Sequence, residues 1–298
     1  MPVALALTRT SARARVGGFV ALTKPRIIEL LLVTTVPTMV VADKGLPALS
    51  LIVLTVIGGT LAAGGANAIN MVVDRDIDAV MHRTRNRPLV TGVVAPTEAL
   101  VFAIALEVAA FGLLWTTVNL LSAVLAVSAT AFYVFVYTLW LKRTSTSNIV
   151  IGGAAGAVPV LVGWSAVQNS LDWAPLVLFA VIFVWTPPHF WALAVKYKDD
   201  YAAAHVPMLP AVASLRTTAT RIIIYTVVLW ALTILFAPVA GMGVLYTAAA
   251  IGLGAVFLAF AVQLFRTPTV PVAMRLFSWS ITYVTLLFGA MAADQLIR

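Results

Sequence analysis

The sequence contains no cysteine among its 298 residues. Disulfide bonds, iron–sulfur ligation, thiolate catalysis and covalent attachment of a c-type haem are therefore all excluded. Charge is also scarce, since Asp, Glu, Lys and Arg make up only 10% of the chain while hydrophobic residues make up 62%. A soluble core cannot absorb that much apolar surface, so the composition excludes an ordinary soluble domain as well.

Apolar stretches recur along the chain, and a stretch of about 20 residues is long enough to cross a bilayer as a helix. We predict an all-α polytopic membrane protein with a single transmembrane domain over residues 1–298. Two four-helix halves and a ninth helix are expected around a cavity that opens at the cytoplasmic face. The nine predicted spans are 19–42, 49–71, 96–116, 119–140, 147–167, 173–195, 218–237, 242–265 and 273–296.

The basic residues are distributed very unevenly between the predicted connections. Of the 19 Lys and Arg residues, all except Lys44 and Arg298 fall on one side of the membrane if the spans alternate. Because Lys and Arg collect on the cytoplasmic side, this pattern predicts a cytoplasmic N-terminus and an external C-terminus. It also accounts for the net charge of +8 without a nucleic-acid partner.

Residues 1–18 are predicted to form a basic cytoplasmic tail, with a short organellar transit peptide as the alternative. The expected location is a prokaryotic cell membrane, or the mitochondrial inner membrane if the source is eukaryotic.

A dense group of polar residues follows the second predicted span. Asn70, Asp74 and Asp78 are spaced by four, so on a helix they stack along one face, whereas Asp76 lies near the opposite face. Mg²⁺ binds through one or two carboxylates and takes its other ligands from water and phosphate oxygens. Arg83 and Arg87 follow, also four apart, and guanidinium groups suit phosphate oxygens. The spacing indicates half of a magnesium-dependent diphosphate site, and the alternative is a helix end flanked by ordinary ion pairs.

The residues that continue this group carry a family resemblance. The stretch N-x-x-x-D-x-x-x-D from Asn70, followed by R-T-x-x-R-P-L from Arg83 to Leu89, resembles the first aspartate-rich motif of the UbiA superfamily of intramembrane prenyltransferases. The resemblance implies catalytic roles for Asn70, Asp74 and Asp78 with Mg²⁺ as cofactor, and diphosphate binding by Arg83 and Arg87.

Three further segments resemble one branch of that superfamily, the protohaem farnesyltransferases or haem O synthases: Leu22 to Ile27, Tyr137 to Val167 and, most specifically, Trp185 to Pro210. This resemblance implies transfer of the farnesyl group of farnesyl diphosphate to a vinyl group of haem b. A downstream haem A synthase is an additional candidate partner, besides the lipid bilayer.

The second aspartate segment departs from the superfamily's usual D-x-x-x-D, because Asp199 and Asp200 are adjacent. Neighbouring residues on a helix diverge by about 100°, so at least one of the two is expected to bind the metal and the choice stays open. The expected phosphate-binding cations are Lys196, Lys198, Lys142 and Arg143. His205 stands where haem O synthases usually have glycine, so it receives no role.

His189 lies inside a predicted span beside two prolines and several aromatic residues. An ionisable group at that depth is a candidate functional residue, and we expect His189 to contact haem as axial ligand or propionate partner, with Trp191 and Tyr201 as further haem contacts. Glu107 lies in mid-span without an assigned role.

Three other functions compete with the predicted one. The nearest is a UbiA-type prenyltransferase that acts on an aromatic quinone precursor, which should carry D-x-x-x-D in the second motif. A membrane transporter and a haem-handling assembly protein are more remote. A transporter site typically lies near the midplane, whereas the charges here gather at the inner ends of two spans.

Overall fold

The computed structural model describes residues 11–298, except for the side chains of residues 26–32. The first ten residues of the predicted basic tail therefore lie outside the described residues. Every regular element in the described part of the chain is helical. Eight of these helices are long and apolar enough to cross a membrane.

The helices, numbered in chain order, are α1 (Ala12–Leu22), α2 (Pro25–Asp43), α3 (Leu49–Val73), α4 (Arg75–Val80), α5 (Pro96–Thr117), α6 (Leu120–Ala131), a π-helix (Phe132–Leu141), α7 (Lys142–Thr144), α8 (Asn148–Gln168), α9 (Trp173–Lys196), α10 (Lys198–Ala203), α11 (Leu209–Val212), α12 (Leu215–Val239), α13 (Val244–Arg266) and α14 (Val270–Leu296). Each predicted span from the second to the ninth coincides with a long helix or, for the fourth, with α6, the π-helix and α7 in succession.

The first predicted span starts too early. We predict it from residue 19, but α1 ends at Leu22 and α2 begins only at Pro25. Lys24 between them has a left-handed backbone, with φ 51°. A residue before proline is disfavoured in the helical region, so the helix breaks at Lys24. The lysine is thereby placed between two helices instead of on a helix face.

Local sequence explains where several other helices begin. A side-chain oxygen accepts a hydrogen bond from the first turn of α6, α9 and α12, with Asn119, Asp172 and Ser214 as the capping residues. These residue types are the preferred N-caps because their oxygen satisfies a backbone N–H that has no partner within the helix.

The helices pack as one closed bundle. Within it α3 lies against α5, α6 against α8, and α9 against α8, α12 and α14, while α2 contacts both α8 and α14. The largest buried apolar cluster runs from α8 to α14. The cytoplasm-facing connections predicted from sequence, which contain α4 and α10, lie at the ends of α3 and α9. Both α3 and α9 contact α8, which lies between the two polar segments in the chain order of the bundle.

Candidate active site

The three polar residues spaced by four lie where α3 ends and α4 begins. α3 stops at Asp74, whose backbone is no longer regular helix, and α4 starts directly after it. Asn70, Asp74 and Asp78 are all buried, with 3%, 0% and 2% of their surface exposed. The Asn70 side-chain amide donates a hydrogen bond of 2.6 Å to Asp74 Oδ2. The predicted association of Asn70 with Asp74 is therefore present in the structure.

Each of the two buried carboxylates is paired with a cation. Lys142, at the start of α7, forms an ion pair with Asp74 Oδ2. Arg87 Nη1 lies 2.6 Å from Asp78 Oδ2. Burial of a carboxylate is costly unless an opposite charge and hydrogen bonds compensate it, which explains both pairs.

Arg143 holds the outer side of the same group. Its guanidinium donates two hydrogen bonds of 2.7 Å to the carboxylate of Asp76 and lies 3.7 Å from Asp74 Oδ1. The hydrogen bond from Arg143 lowers the pKa of Asp76 to about 2. The Asp76 side chain is 65% exposed, in agreement with its prediction as the residue that faces away from Asn70, Asp74 and Asp78.

Lys24 is a site residue that the sequence analysis did not single out. Its Nζ donates a hydrogen bond of 3.0 Å to Asn70 Oδ1. Burial, followed by the nearby charges of Arg87 and Lys142, lowers the pKa of Lys24 to about 7. The Lys-Pro dipeptide could have indicated this position from the sequence. Proline favours the first position of a helix, so the lysine before it lies just outside the helix. The site therefore draws cations from three separate parts of the chain.

The second aspartate segment contacts the loop after α4 through Asp200. Asp200 Oδ1 lies 3.0 Å from His82 Nδ1, and its Oδ2 accepts a hydrogen bond of 3.3 Å from the backbone N–H of Arg83. Asp199, by contrast, is exposed. The Arg83 guanidinium lies 5.5 Å from the centre of the Tyr197 ring. The structure thus brings the two polar segments together, with Asp200 at the junction.

The remaining predicted phosphate ligands lie at the rim. Lys196 and Lys198 are exposed, and Lys196 Nζ lies 5.5 Å from the centre of the Tyr197 ring. Tyr201 is buried, and burial raises the pKa of its hydroxyl. Lys196 and Lys198 are exposed and have no carboxylate partner among the described residues, in contrast to the paired Lys142 and Arg143.

The residues offer a partial metal site. Among residues whose side chains the structure describes, no three His, Asp or Glu side chains lie close enough to hold a metal ion. Asp74 Oδ1 is nevertheless buried and accepts no hydrogen bond. Buried carboxylate and amide oxygens fit Mg²⁺, which commonly takes one or two carboxylates and completes its shell with water and phosphate oxygens. The donor set therefore fits a magnesium ion that is shared with a diphosphate.

An apolar cavity of about 200 Å³ begins one helical turn below Asn70. Asn67 and Tyr133 line it, together with small residues of α3 and α8 such as Ala63 and Gly156. The Asn70 amide also donates to Thr138 Oγ1 at 3.1 Å, which ties the π-helix to α3. An apolar space beside an anion site suits a hydrocarbon with a charged head.

Tyr133 and Tyr137 form a stacked pair on the π-helix, with ring centres 5.4 Å apart. π-helical turns are rare and frequently occur at functional sites. The Tyr137 ring fits there because Gly152 of α8 has no Cβ, and an added Cβ would overlap the ring. Asn148, at the start of α8, is fully buried, and neither polar atom of its side chain has a partner among the described residues.

The three predicted haem contacts lie on or after α9. His189 is half-buried between α9 and α14, where its Nδ1 lies 2.7 Å from Ser280 Oγ. Trp191 is buried against Tyr225 of α12 in an edge-on contact, with ring centres 5.4 Å apart. Tyr201 lies on α10. The haem contacts remain a prediction.

Two residues without an assigned role also have definite positions. Glu107 accepts a hydrogen bond of 3.1 Å from Thr130, a residue that lines the cavity. His205 has φ 52°, in the left-handed region that favours glycine. Glycine, which the resemblance leads us to expect at this position, adopts this backbone without strain. His205 is exposed, so its imidazole is not part of the buried site.

Comparison with known proteins agrees with this geometry. Residues 31–291 match the UbiA prenyltransferase family. The chain is 54% identical to a protoheme IX farnesyltransferase of Streptomyces coelicolor, over 96% of this chain and 92% of that one. It is 55% identical to the protein of the same name from Frankia casuarinae, over 96% of this chain and 100% of that one.

Solved structures show the same fold at low sequence identity. A structure described as digeranylgeranylglyceryl phosphate synthase superposes with a TM-score of 0.76 at 16% identity, covering 95% of this chain and 99% of that one. A UbiA homolog from Archaeoglobus fulgidus bound to GPP and Mg²⁺ superposes with a TM-score of 0.59 at 14% identity, covering 92% and 99%. The matched residues and the full-length identity together show that the chain belongs to the UbiA prenyltransferase family.

Proposed function

We propose that this chain transfers the farnesyl group of farnesyl diphosphate to a vinyl group of haem b and so makes haem O. Near-full-length identity of 54% and 55% to proteins named protoheme IX farnesyltransferase supports the choice of acceptor. The observation that supports the reaction type is the buried Asn70–Asp74–Asp78 group, surrounded by cations and placed above an apolar cavity. A transporter or a haem-handling assembly protein would require neither feature.

The proposed topology is nine spans, with α2 as the first. The described part of α2, Val33–Asp43, is apolar. We place the N-terminus and the mouth of the cavity on the cytoplasmic side, because Lys and Arg collect on that side of the membrane. The C-terminus is then outside. Since the relatives are bacterial, the membrane is the cell membrane.

The farnesyl chain occupies the cavity beside Tyr133, and the diphosphate lies among the carboxylates and cations above it. In the reaction the bond between C1 of the farnesyl group and the diphosphate oxygen breaks, and C1 bonds to a vinyl carbon of haem. The hydroxyl of a water molecule adds to the other vinyl carbon, and a proton is released. Haem O, diphosphate and a proton are the products.

The residues around Asn70 stabilise the leaving group. Asn70, Asp74 and Asp78 would hold Mg²⁺, which when bound neutralises negative charge that develops on the departing diphosphate. Lys142 and Arg87 can exchange their carboxylate partners for phosphate oxygens, since both are already oriented toward the site. Arg143 adds positive charge beside them, and Lys24 offers a further N–H donor. Preorganised charge of this kind is usually the largest single contribution to catalysis.

The apolar walls keep water from the reacting carbon. An allylic cation is quenched by water, so a dry cavity favours attack by the vinyl group over hydrolysis. The cavity next to Asn67 is lined mainly by Ala, Gly, Val and Thr side chains. This lining leaves room for the hydrocarbon and contains no charged side chain among the residues that the structure describes.

Mass analysis of the pigments tests the acceptor. Membranes that contain the chain are incubated with haem b, farnesyl diphosphate and Mg²⁺, and we expect a pigment whose mass corresponds to haem b plus farnesyl and hydroxyl. A parallel incubation replaces haem b by 4-hydroxybenzoate. Prenylation of 4-hydroxybenzoate without farnesylated haem would overturn the proposal in favour of the aromatic acceptor.

The adjacent aspartates provide a matched pair of variants for the site. Asp200 holds the loop at His82 and Arg83, whereas Asp199 is exposed. We expect Asp200→Asn to lower the rate of haem farnesylation by about 10-fold or more, as loss of a charge-assisted hydrogen bond of about 1.5–3 kcal/mol implies. Asp199→Asn should leave the rate within about twofold. A reversed order would show that the reaction requires Asp199 and not the contact of Asp200 with the loop.

A further inference from the structure

The His189 ring is held on both faces by aromatic rings. Trp185 stacks on it with ring centres 4.3 Å apart and an interplanar angle of 18°, and Phe277 stacks with 4.8 Å and 29°. Two nearly parallel rings at such short distances cannot share one face, so the imidazole lies between them. Trp185 is itself fixed, because its Nε1–H donates a hydrogen bond of 2.9 Å to the backbone oxygen of Ser280. Only the edges of the imidazole remain for polar contacts.

Ser280 occupies one of those edges. Its hydroxyl oxygen lies 2.7 Å from His189 Nδ1 and 2.6 Å from the backbone oxygen of Phe277. A hydroxyl has a single hydrogen. Two oxygens 2.6 Å apart repel unless a hydrogen lies between them, so the Ser280 hydrogen is donated to Phe277. The Ser280 oxygen can then only accept from His189, which places the imidazole hydrogen on Nδ1.

This assignment leaves the lone pair of the neutral imidazole on Nε2. Nε2 forms no hydrogen bond to any residue in the described part of the chain. An imidazole whose Nδ1–H is fixed by an acceptor is the form in which histidine binds metals through Nε2. The same form cannot donate a hydrogen bond from Nε2 to a carboxylate. The contact with Ser280 therefore separates the two haem contacts that the sequence leaves open for His189.

We propose that His189 Nε2 is an axial ligand of the iron of the haem b substrate, and that Ser280 is the positioning residue that fixes the required tautomer. This proposal rests on the proposed function, since it assigns the residue that holds its acceptor. Iron ligation by His189 anchors the macrocycle against α9 and α14. A fixed macrocycle presents its vinyl groups to C1 of the farnesyl group in one orientation.

Ligand replacement tests the iron bond without turnover. Purified full-length chain in detergent is titrated with ferric haem b in the absence of farnesyl diphosphate, and the Soret band and spin state are recorded. We expect His189→Ala to change the spin state, and added imidazole to restore it by entering the space between Trp185 and Phe277. A wild-type spectrum in His189→Ala would overturn the proposal, as would a changed spectrum that imidazole does not restore.

Variants of Ser280 test the positioning role. Ser280→Ala lacks the acceptor for Nδ1–H and should weaken haem binding by about 10- to 100-fold, the usual effect of removing a partner that orients a metal ligand. Ser280→Thr keeps the hydroxyl and should bind haem within about threefold of wild type with an unchanged spectrum. Equal affinity and spectra for wild type and Ser280→Ala would overturn the role of Ser280.

The outcomes of these tests are separable from failure of the proposed function. If the wild-type chain makes farnesylated haem but His189→Ala has an unaltered haem spectrum, only the ligation fails. If the wild-type chain makes no farnesylated haem, the proposed function fails, whatever the spectrum of the haem titration shows. Binding of farnesyl thiodiphosphate, measured by thermal unfolding, serves as the folding control for each variant, because its site is built from α3 and not from His189.

Discussion

Removal of the Asp74 carboxylate should affect stability and turnover for two different physical reasons. Asp74 is fully buried and pairs with Lys142, whose side chain is 13% exposed. Asp74→Ala leaves the Lys142 ammonium without its partner in a largely buried position. Loss of one member of a buried ion pair costs about 3–5 kcal/mol, because the remaining charge is uncompensated. We therefore expect Asp74→Ala to be both inactive and markedly less stable.

A second substitution separates the two effects. Lys142→Met removes the ammonium while keeping most of the side-chain volume. The double variant, Asp74→Ala with Lys142→Met, therefore lacks both charges of the ion pair and leaves neither one unpaired. The double variant should regain most of the about 3–5 kcal/mol that the single variant loses. Its turnover should stay at least about 100-fold below wild type, as expected when a group that stabilises transition-state charge is missing.

Unfolding and catalysis are both measured on the same protein preparations. The free energy of unfolding of wild type, both single variants and the double variant is compared in one detergent, and haem farnesylation is followed by mass with Mg²⁺ in excess. If the double variant regained both stability and turnover, Asp74 would act only as the partner of Lys142. Its assignment as a metal ligand would then be wrong.

Three further predictions concern α8 and its surroundings. Gly152→Ala should lower the free energy of unfolding by about 1–3 kcal/mol, since the added Cβ overlaps the Tyr137 ring, whereas Gly112→Ala, with open space at its Cβ, should gain up to about 1 kcal/mol. Equal thermal unfolding of those two variants would contradict the packing. Gly156→Val places its side chain in the cavity and should shift kcat/KM from farnesyl toward geranyl diphosphate; an unchanged ratio would place the hydrocarbon elsewhere. Asn148→Leu should raise the free energy of unfolding by about 1–2 kcal/mol, because both amide atoms are buried without partners, and a fall would reveal a partner for the amide.

Hydropathy and spacing predicted the helices and the contact between Asn70 and Asp74. Eight of the predicted spans correspond to long apolar helices, because the bilayer sets span length independently of tertiary contacts. The stacking of Asn70 with Asp74 follows from helical periodicity in the same way. Both predictions depend only on local sequence, which explains why they hold.

Contacts between distant segments could not be predicted in that way. Lys142 pairs with Asp74 across 68 positions, and His189 meets Ser280 across 91. Hydropathy gives no information on which helices are neighbours. Adjacent Asp199 and Asp200 were likewise indistinguishable, since the choice depends on how α10 docks against the loop after α4. The position of Lys24 was accessible in principle from Pro25, because proline ends the preceding helix conformation.

The ion pairs at the end of α3 also determine how metal and substrate should bind. Asp74 and Asp78 are each already neutralised, by Lys142 and Arg87. A free Mg²⁺ would have to approach two cations, and a free diphosphate would meet two carboxylates. Together they compensate each other, because the diphosphate offers Lys142 and Arg87 new partners while the metal takes the carboxylates. Metal and diphosphate should therefore bind with positive coupling.

Thermal unfolding measures this coupling directly. The stabilisation by Mg²⁺ and farnesyl thiodiphosphate together should exceed the sum of their separate effects by about 1–3 kcal/mol, the usual range for coupled sites. Replacing Lys142 by Met frees Asp74 for the metal, so this variant should gain stability from Mg²⁺ alone and lose part of the coupling. Strictly additive stabilisation of the wild-type chain would mean that Lys142 and Arg87 keep their carboxylates when substrate binds, and that neither contacts the diphosphate.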